Sequence, residues 1–367
     1  MRDGTRVLRA GIPNPEQGAP FTPPITFAST YHAAGDPSGI TYTYGRFGNP
    51  TWSHFEAALS ELEGGSALAF ASGMAAVAAV FGAVLRPGDV VVLPSDSYYT
   101  MRNVANGFFA EMGVQVRLAP TANNAQLAAI EGAKLLWLET PSNPRLDVCD
   151  IAYMCEQAHA AGALVAVDNT TACPLIQQPL MLGADFVVAA DTKALCGHSD
   201  LLMGHVAVGD AAWFDRIKLW RTQVGAIPGT MEAWLAHRSL ATLDVRLSRQ
   251  CESAQQIAEY LSKQPQVINV RYPGLEHDPA YPIAKKHMRR FGQIISFELA
   301  NKAQAENFLS GAKLIYEATS FGGVHTSAER RARWGGDDVS DGFIRLSVGC
   351  EDVADLLEDI EQALRHI

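Results

Sequence analysis

Residues 163–193 read ALVAVDNTTACPLIQQPLMLGADFVVAADTK. Two apolar runs lie within this stretch, at 163–168 and 185–190, and neither alternates apolar with polar residues. Runs of this kind are typical of strands that are covered on both faces, as in a parallel sheet. A polar residue marks the end of each predicted strand: Asp168 ends the first, and Lys193 follows the second.

The pattern continues on both sides of this stretch. Apolar runs predict strands at 67–70, 89–94, 114–118 and 134–139, and helical spacing predicts helices at 56–62, 73–81, 99–112 and 151–161. Strands that alternate with helices indicate an α/β fold around a mostly parallel sheet.

Beyond residue 235 the pattern changes to a smaller α+β region. It predicts helices at 233–261, 303–309 and 353–367, and strands at 267–272, 293–299 and 344–348. Before residue 50 the frequent prolines break both periodicities and predict an extended arm. We therefore expect an arm over 1–50, an α/β domain over 51–235 and a C-terminal α+β domain over 236–367.

The composition excludes several classes of protein. The chain is 48% hydrophobic and only 19% charged, so it is not disordered. Its net charge of −10 gives no overall attraction for nucleic acid. No apolar run approaches the ~18 residues of a membrane span, and residues 1–6 are polar, unlike a signal peptide. Six scattered cysteines without metal-ligand spacing predict free thiols, no metal site and a cytoplasmic location.

Ligands of open α/β sheets bind at the carboxyl ends of the strands. Asp168, Asn143 and Lys193 follow predicted strands there, offering a carboxylate, an amide and an amine. Pyridoxal phosphate needs a partner for its ring nitrogen, one for its phenolic oxygen and an amine for its aldehyde. The Ser72-Gly73-Met74 turn adds a helix N-terminus whose free amides could cradle the phosphate. The four features together predict pyridoxal phosphate as the cofactor.

A set of ordered motifs runs through nearly the whole chain. They are 44–51 (YGRFGNPT), 72–74 (SGM), 139–144 (ETPSNP), 167–170 (VDNT), 192–193 (TK) with 197–200 (GHSD), 291–297 (FGQIISF) and 344–349 (IRLSVG). On these motifs the chain resembles the Cys/Met-metabolism family of pyridoxal-phosphate enzymes, which includes cystathionine γ-lyases, cystathionine γ-synthases and methionine γ-lyases. The resemblance implies an aspartate-aminotransferase-like (fold type I) architecture and a homotetramer built as a dimer of dimers.

The resemblance also implies a role for each matching residue. Lys193 would bind the cofactor covalently and carry the substrate Cα proton, and Asp168 would pair with the pyridine nitrogen. Tyr98 would stack on the cofactor ring and act as an acid, with Tyr99 as the alternative at this position. The other implied contacts are to the phosphate by Gly73, Met74, Thr192 and, from a neighbouring subunit, Tyr44 and Arg46; to the phenolic oxygen by Asn143; and to the substrate by Arg345, Ser320 and His325.

The chain departs from the family pattern near these residues. Ala190 stands where a serine is usual, Ala194 where a tyrosine is usual and Cys196 where a glycine is common. His325 replaces a glutamate that in the cystathionine enzymes bears on the distal end of the substrate. A histidine attracts a distal ammonium group less than a carboxylate does. We expect these departures to affect cofactor binding and the choice of substrate, and to leave the fold unchanged.

The function implied is that of a carbon–sulfur lyase most like cystathionine γ-lyase. Such an enzyme acts by γ-elimination on L-cystathionine or a related sulfur amino acid. The residues leave open γ-replacement on an O-acyl-L-homoserine, as in cystathionine γ-synthase, and a methionine γ-lyase activity. A catalytically silent scaffold on the same fold is the alternative from a different class.

Overall fold

A computed structural model describes residues 1–367 and places a seven-stranded sheet at the centre of the larger part. The strands follow the order β1-β7-β6-β5-β4-β2-β3. They are β1 (Ser66–Phe70), β2 (Val90–Pro94), β3 (Gln115–Ala119), β4 (Ala133–Glu139), β5 (Leu164–Asp168), β6 (Phe186–Ala189) and β7 (Gly204–Val208). Strands β2 to β6 pair in parallel, and only β7 is antiparallel to its neighbours β1 and β6. The expected mostly parallel α/β sheet is confirmed.

Helices cover both faces of this sheet. They are α1 (Asp3–Arg9), α2 (Pro50–Glu63), α3 (Gly73–Val84), α4 (Tyr99–Val104, continued by a π-helical turn to Phe109), α5 (Ile151–Ala160), α6 (Ala211–Val224) and α7 (Thr230–Leu240). One apolar cluster joins α3 to the strands on one face, and others join α2, α5 and α7 to the opposite face. The sheet is therefore buried on both sides, as its unbroken apolar strands predict.

The C-terminal part is built on a second sheet of five strands in the order β10-β11-β12-β9-β8. Its elements are β8 (Ile268–Arg271), β9 (Ile294–Glu298), β10 (Tyr316–Glu317), β11 (Ser327–Arg330) and β12 (Phe343–Ser347), with α8 (Leu243–Leu261), α9 (Tyr281–His287), α10 (Lys302–Gly311) and α11 (Val353–Leu364). Apolar residues of α8, α10 and α11 pack on the sheet in one cluster. The expected smaller α+β region is confirmed, and the domain boundary near 235 stays a prediction.

Three expectations from the sequence need correction. The helix expected over 233–261 is two helices, because the backbone of Thr242 (φ −108°, ψ 3°) leaves the helical region between α7 and α8. The arm is not wholly extended, since α1 lies within it. Helix α2 begins at Pro50, six residues earlier than expected. The side chain of Asn49 caps it by accepting a hydrogen bond from the Thr51 amide, and proline fits the first helical turn.

Other features bear on the classes of site that the fold can hold. No helix combines the length and apolar character needed to span a membrane. All six cysteines are unpaired, and no three His, Cys, Asp or Glu side chains are grouped so that they could hold a metal ion.

Candidate active site

A cavity of about 410 Å³ opens at the carboxyl edge of the large sheet, and residues 319–321, Arg331, Trp334 and Arg345 of the C-terminal part close it from the other side. Most of the residues singled out from the sequence line this one cavity. They are Gly73, Met74, Tyr98, Asn143, Asp168, Thr192, Lys193, Ser320 and Arg345. Residues far apart in the chain therefore meet at the sheet edge where the strand endings predict a ligand.

Lys193 lies in a tight turn between β6 and β7, with its side chain largely buried in the cavity. Its Nζ donates a hydrogen bond to Ser320 Oγ at 2.5 Å and lies 4.9 Å from the centre of the Phe321 ring. Burial, with help from the positive charge of Arg345, lowers the pKa of Lys193 to about 8. A substantial fraction of this amine is therefore neutral, and nucleophilic, near physiological pH.

Asp168 ends β5 and stands directly opposite Glu139 at the end of β4. The Thr170 amide donates to Asp168 Oδ1 at 2.9 Å, while the amides of Tyr98 and Asn143 each donate to Glu139 at 2.9 Å. Burial and the neighbouring Asp168 charge raise the pKa of Glu139 well above its usual range. Both carboxyl groups border the cavity, and burial raises the pKa of Asp168 as well. Glu139 uses both of its oxygens to hold the backbone, whereas Asp168 keeps Oδ2 free for a ligand.

The turn before α3 forms one end of the cavity. Ser72 caps the helix by accepting a hydrogen bond from the Ala75 amide at 3.1 Å. The amides of Gly73 and Met74 belong to the first helical turn and have no partner within the helix. A Cβ at Gly73 would lie 2.6 Å from Ala190 Cβ, so only glycine permits this close approach. This end of the cavity is suited to an anion such as a phosphate.

Thr192 borders the same end but already has partners. Its Oγ1 accepts from the Met203 amide at 3.0 Å and donates to the Met203 carbonyl at 3.2 Å. The backbone of Ala190 donates to Thr170 Oγ1 at 2.8 Å. Where the family pattern carries a serine hydroxyl, Ala190 thus offers only a methyl group to the cavity.

Arg345, in the middle of β12, is buried and strongly hydrogen-bonded. Its guanidinium donates to Asn143 Oδ1 at 2.6 Å, to Glu329 Oε1 at 2.5 Å and to the Ser320 carbonyl at 2.8 Å. Burial, together with the charge of Arg331, lowers its pKa to about 10. The guanidinium therefore has a fixed orientation beside Lys193, as recognition of a carboxylate requires.

Tyr98 and Tyr99 both line the cavity, with ring centroids 5.3 Å apart. Tyr98 is anchored through its amide to Glu139 and leaves 39% of its surface exposed. Tyr99 packs beneath Gly336, where a Cβ would lie 2.8 Å from its ring. Both aromatic rings are available to a ligand, so the alternative at this position stays open.

Three of the predicted residues lie outside this cavity. His325 is exposed and lines an adjoining cavity, which shares the wall formed by Ser320 and Phe321. Tyr44 and Arg46 lie on the arm, where Arg46 donates to the Thr222 carbonyl at the end of α6 at 2.8 Å. Within a single chain, neither arm residue reaches the Lys193 cavity.

The sequence reasoning assigned no role to three charged residues at or beside the cavity: Glu139, described above, Arg331 and Asp337. Arg331 lines the cavity wall and donates to Glu329 Oε1 at 2.7 Å, the oxygen that also binds Arg345. Asp337 accepts two further hydrogen bonds from the Arg331 guanidinium, at 2.5 and 2.9 Å. The one signal in the sequence is the density of charged residues over 329–338 (ERRARWGGDD), which includes Arg331 and Asp337.

The residues of this cavity fit pyridoxal phosphate. Lys193 has the lowered pKa that a covalent partner of the aldehyde needs, and the free amides at Gly73 and Met74 match the phosphate. Asp168 Oδ2 accepts no hydrogen bond from the protein, and Asp168 lines the cavity. This oxygen is therefore free to accept a hydrogen bond from the ring N–H of the cofactor.

Comparison with known proteins agrees with this geometry. Residues 4–365 match the family described as "Cys/Met metabolism PLP-dependent enzyme". The chain belongs to this family. Its members use pyridoxal phosphate, so the cofactor predicted from Lys193, Asp168 and the 72–74 turn is confirmed.

Relatives within the family carry different activities. "Putative cystathionine gamma-lyase" of Streptomyces coelicolor is 53% identical over 99% of this chain and 93% of its own length. Cystathionine gamma-synthase of Mycobacterium tuberculosis is 40% identical over 98% of this chain and 96% of its own. The structure of cystathionine gamma synthase from Xanthomonas oryzae in complex with cystathionine has a TM-score of 0.95 at 34% identity, covering 100% of this chain and 98% of that one. The fold type I architecture is thus confirmed, and the chain is an enzyme of sulfur amino-acid metabolism.

Proposed function

We propose that this enzyme is a carbon–sulfur lyase that performs γ-elimination on L-cystathionine or a related sulfur amino acid. The observation that carries the proposal is the placement of Ser320 between Lys193, which donates to its Oγ at 2.5 Å, and Arg345, which donates to its carbonyl at 2.8 Å. A proton carrier thus stands next to a group that binds an amino-acid carboxylate. The choice of cystathionine is supported by the relative from Streptomyces coelicolor.

Lys193 is proposed to move the substrate protons. Bound pyridoxal phosphate supplies an electron-withdrawing ring that stabilises negative charge next to the substrate Cα. With a pKa of about 8, the Lys193 amine can accept the Cα proton and, after releasing it, a Cβ proton. Loss of the Cβ proton supplies the electron pair that forms the Cβ–Cγ double bond as the Cγ–S bond breaks and the sulfur leaves with its electron pair. Asp168 is proposed to keep the ring nitrogen protonated, since its free oxygen accepts that proton's hydrogen bond.

Arg345 is proposed to bind the substrate α-carboxylate, with Ser320 beside it. Asn143 already accepts a hydrogen bond from Arg345 at 2.6 Å, so its amide group is left to face the phenolic oxygen of the cofactor. Three hydrogen bonds hold the guanidinium in one orientation, so its positive charge has a fixed place beside Lys193 where it can attract a carboxylate. The substrate side chain would then run toward Tyr98 and the adjoining cavity of His325.

Tyr98 is proposed to protonate the leaving thiol. Its ring lines the cavity, and its partial exposure lets the hydroxyl exchange protons with solvent between turnovers. General acid assistance of this kind contributes roughly 10²–10⁴-fold to a rate. Tyr99 is the alternative for this role, because it is the next residue in the chain and lines the same cavity.

We also infer that the working form is a homotetramer built as a dimer of dimers, in which Tyr44 and Arg46 complete the phosphate site of a neighbouring subunit. Both lie on the arm, away from the cavity of their own chain. A cytoplasmic location is part of the proposal, because none of the six cysteines is paired.

The test is a substrate panel with product identification. The purified holoenzyme is given L-cystathionine, L-methionine, and O-succinyl-L-homoserine with and without cysteine. γ-Elimination on cystathionine yields cysteine, 2-oxobutanoate and ammonia in equal amounts, and the Lys193→Ala chain should yield none. The exposed Lys218 provides the matched control, Lys218→Ala, which should keep full activity.

Three outcomes would overturn the proposed reaction. Faster formation of cystathionine from O-succinyl-L-homoserine and cysteine than its breakdown would identify a γ-replacement enzyme. Preference for methionine would identify a methionine γ-lyase. Absence of turnover with every substrate, in a chain that holds its cofactor, would favour the silent scaffold.

A further inference from the structure

A buried group of three ionisable side chains lies next to the Lys193 turn, outside the cavity. His205 Nδ1 hydrogen-bonds to Asp191 Oδ1 at 2.5 Å, and its Nε2 hydrogen-bonds to Glu63 Oε1 at 3.1 Å. All three side chains are completely buried. None of them lines the cavity or takes part in the proposed reaction.

The three residues come from three separate elements. Glu63 ends α2, His205 is the second residue of β7, and Asp191 opens the turn that carries Lys193. The second oxygens of both carboxylates, Asp191 Oδ2 and Glu63 Oε2, have no hydrogen-bond partner. His205 is therefore the only hydrogen-bond partner of either carboxylate, and it links Asp191 in the Lys193 turn to Glu63 in α2.

The positive charge of His205 strengthens its hydrogen bonds to Asp191 and Glu63. Burial alone lowers the pKa of an imidazole, but the charge and hydrogen bond of Asp191, with those of Glu63, raise the pKa of His205 to about 10. The ring is then positively charged at neutral pH and donates both of its N–H groups. Charged hydrogen bonds of this kind are shorter and stronger than neutral ones.

Asp191 is two residues from Lys193 in a turn that belongs to neither a helix nor a strand. The Cys196 amide donates to the Asp191 carbonyl at 2.9 Å, and the Lys193 amide donates to the Ala190 carbonyl at 3.1 Å. His205 pairs directly with Ala189, the last residue of β6 before the turn. A fixed Asp191 side chain therefore fixes the backbone from which the Lys193 side chain enters the cavity.

We propose that Asp191 is a positioning residue for cofactor attachment, and that its contact with His205 anchors it. Through this anchor the Lys193 amine is held where the aldehyde of pyridoxal phosphate arrives. The inference rests on the cofactor and on Lys193, and it holds whichever sulfur amino acid the enzyme uses.

The test compares two ligands of the full-length chain freed of its cofactor. Pyridoxal phosphate can bond to Lys193, whereas 4′-deoxypyridoxine phosphate has the same ring and phosphate but no aldehyde. In Asp191→Ala, the His205–Glu63 ion pair remains and only the turn is released. We expect the affinity for pyridoxal phosphate to fall by about tenfold or more relative to the affinity for the deoxy ligand. The covalent absorbance band should form more slowly to the same degree.

Two matched variants separate positioning from general stability. Glu63→Gln keeps the Asp191–His205 contact and should leave the ratio of the two affinities near that of the unaltered chain. His159→Gln breaks a similar contact, to Asp185 at the opposite end of β6, and should leave it unchanged. Equal losses for both ligands in Asp191→Ala, or no loss for either, would overturn the proposal.

A milder variant covers the case in which Asp191→Ala does not fold. Asp191→Asn keeps the size of the side chain and can still accept a hydrogen bond from His205, but without the ionic component. A smaller fall of the same affinity ratio is expected, and an unchanged ratio would overturn the proposal. The substrate panel is independent of this result, since an enzyme with a different substrate still needs Lys193 in place.

Discussion

Lys193 and Ser320 are 127 positions apart in the chain, yet Lys193 Nζ donates to Ser320 Oγ at 2.5 Å. Ser320 reaches this position with a φ of 81°, in the left-handed region that non-glycine residues rarely adopt. Its carbonyl also accepts a hydrogen bond from Arg345. One residue in an uncommon conformation thus orients both the amine and the guanidinium, which is a feature associated with functional sites.

The first prediction concerns the pH at which Lys193 captures the cofactor. The Ser320 hydroxyl accepts a hydrogen bond from the ammonium form, so Ser320→Ala should lower the pKa of Lys193 further below about 8. Because only the neutral amine attacks, the rate of band formation rises with pH through this pKa. Its midpoint should move to lower pH in Ser320→Ala and stay in place in Ser327→Ala, a control in the adjoining cavity. An upward shift would contradict the hydrogen bond.

The second prediction is that Lys193 carries the cofactor covalently. Lys193 is the only lysine that lines the cavity, and burial lowers the pKa of its amine to about 8. Borohydride reduction of the holoenzyme followed by peptide mapping should place the label on Lys193. The label should disappear in Lys193→Ala and persist in Lys218→Ala. A label on a different lysine would contradict the assignment.

Much of this fold could be predicted from the sequence, because the strands of a doubly covered sheet are continuous apolar runs. The ends of β5 and β6 were expected within a residue or two of their positions. Strand β7 was missed, since Gly204 and His205 interrupt its apolar pattern. Both residues have tertiary causes: a Cβ at Gly204 would lie 2.6 Å from Gly73, and His205 binds Asp191 and Glu63.

The residues of the candidate site likewise include some that the sequence pattern predicts and some that it does not. Asp168, Asn143 and Lys193 were predictable because each follows a strand that the apolar pattern marks. Arg331 was not, because its place at the cavity depends on how residues 331–337 fold back over Tyr99 and Arg102. Contacts of this kind join distant segments, and local periodicity carries no information about them.

The third prediction concerns Gly73 at the start of α3. An alanine Cβ there would lie 2.6 Å from Ala190 Cβ and 2.9 Å from its Cα, so the turn that carries Lys193 would have to shift. Gly73→Ala should lower the free energy of unfolding by about 1–3 kcal/mol and weaken cofactor binding. Gly107→Ala is the control, because nothing lies within 4 Å of its added methyl group. Urea unfolding and a cofactor titration measure both effects, and unchanged values for Gly73→Ala would contradict the close packing.

The fourth prediction separates the electron-withdrawing role of Asp168 from folding. Asp168→Asn keeps the shape of the side chain but lets the pyridine nitrogen lose its proton, so kcat should fall on the order of 10²–10⁴-fold. The unfolding midpoint should change little, because burial already raises the pKa of this carboxyl and disfavours its charge. Asp185→Asn, just before β6, is the control for a carboxylate outside the cavity. Near-normal turnover in Asp168→Asn with cofactor bound would exclude the role.

The arm gives the basis for the last prediction. Tyr44 leaves 43% of its surface exposed, and Phe21, Phe27 and Phe47 on the same arm are 98%, 71% and 49% exposed. Apolar residues exposed in this number along one segment indicate a surface that is covered by another chain. Arg46, stacked 5.2 Å from the Phe47 ring, is carried by the same segment. Its phosphate contact is therefore expected in a neighbouring subunit.

If the site is shared, two inactive chains can restore each other. Arg46→Ala should lack the phosphate contact and Lys193→Ala the covalent amine, so each homo-oligomer should be nearly inactive. In mixed oligomers some sites combine an intact Lys193 from one chain with an intact Arg46 from the other, and these sites should recover part of the activity. The control mixes Lys193→Ala with Asp168→Asn, whose lesions lie in the same cavity, so no site that combines the arm of one chain with the cavity of another is intact. No recovery in oligomers verified to be mixed, or full activity in a species that sediments as a monomer, would rule out the shared site.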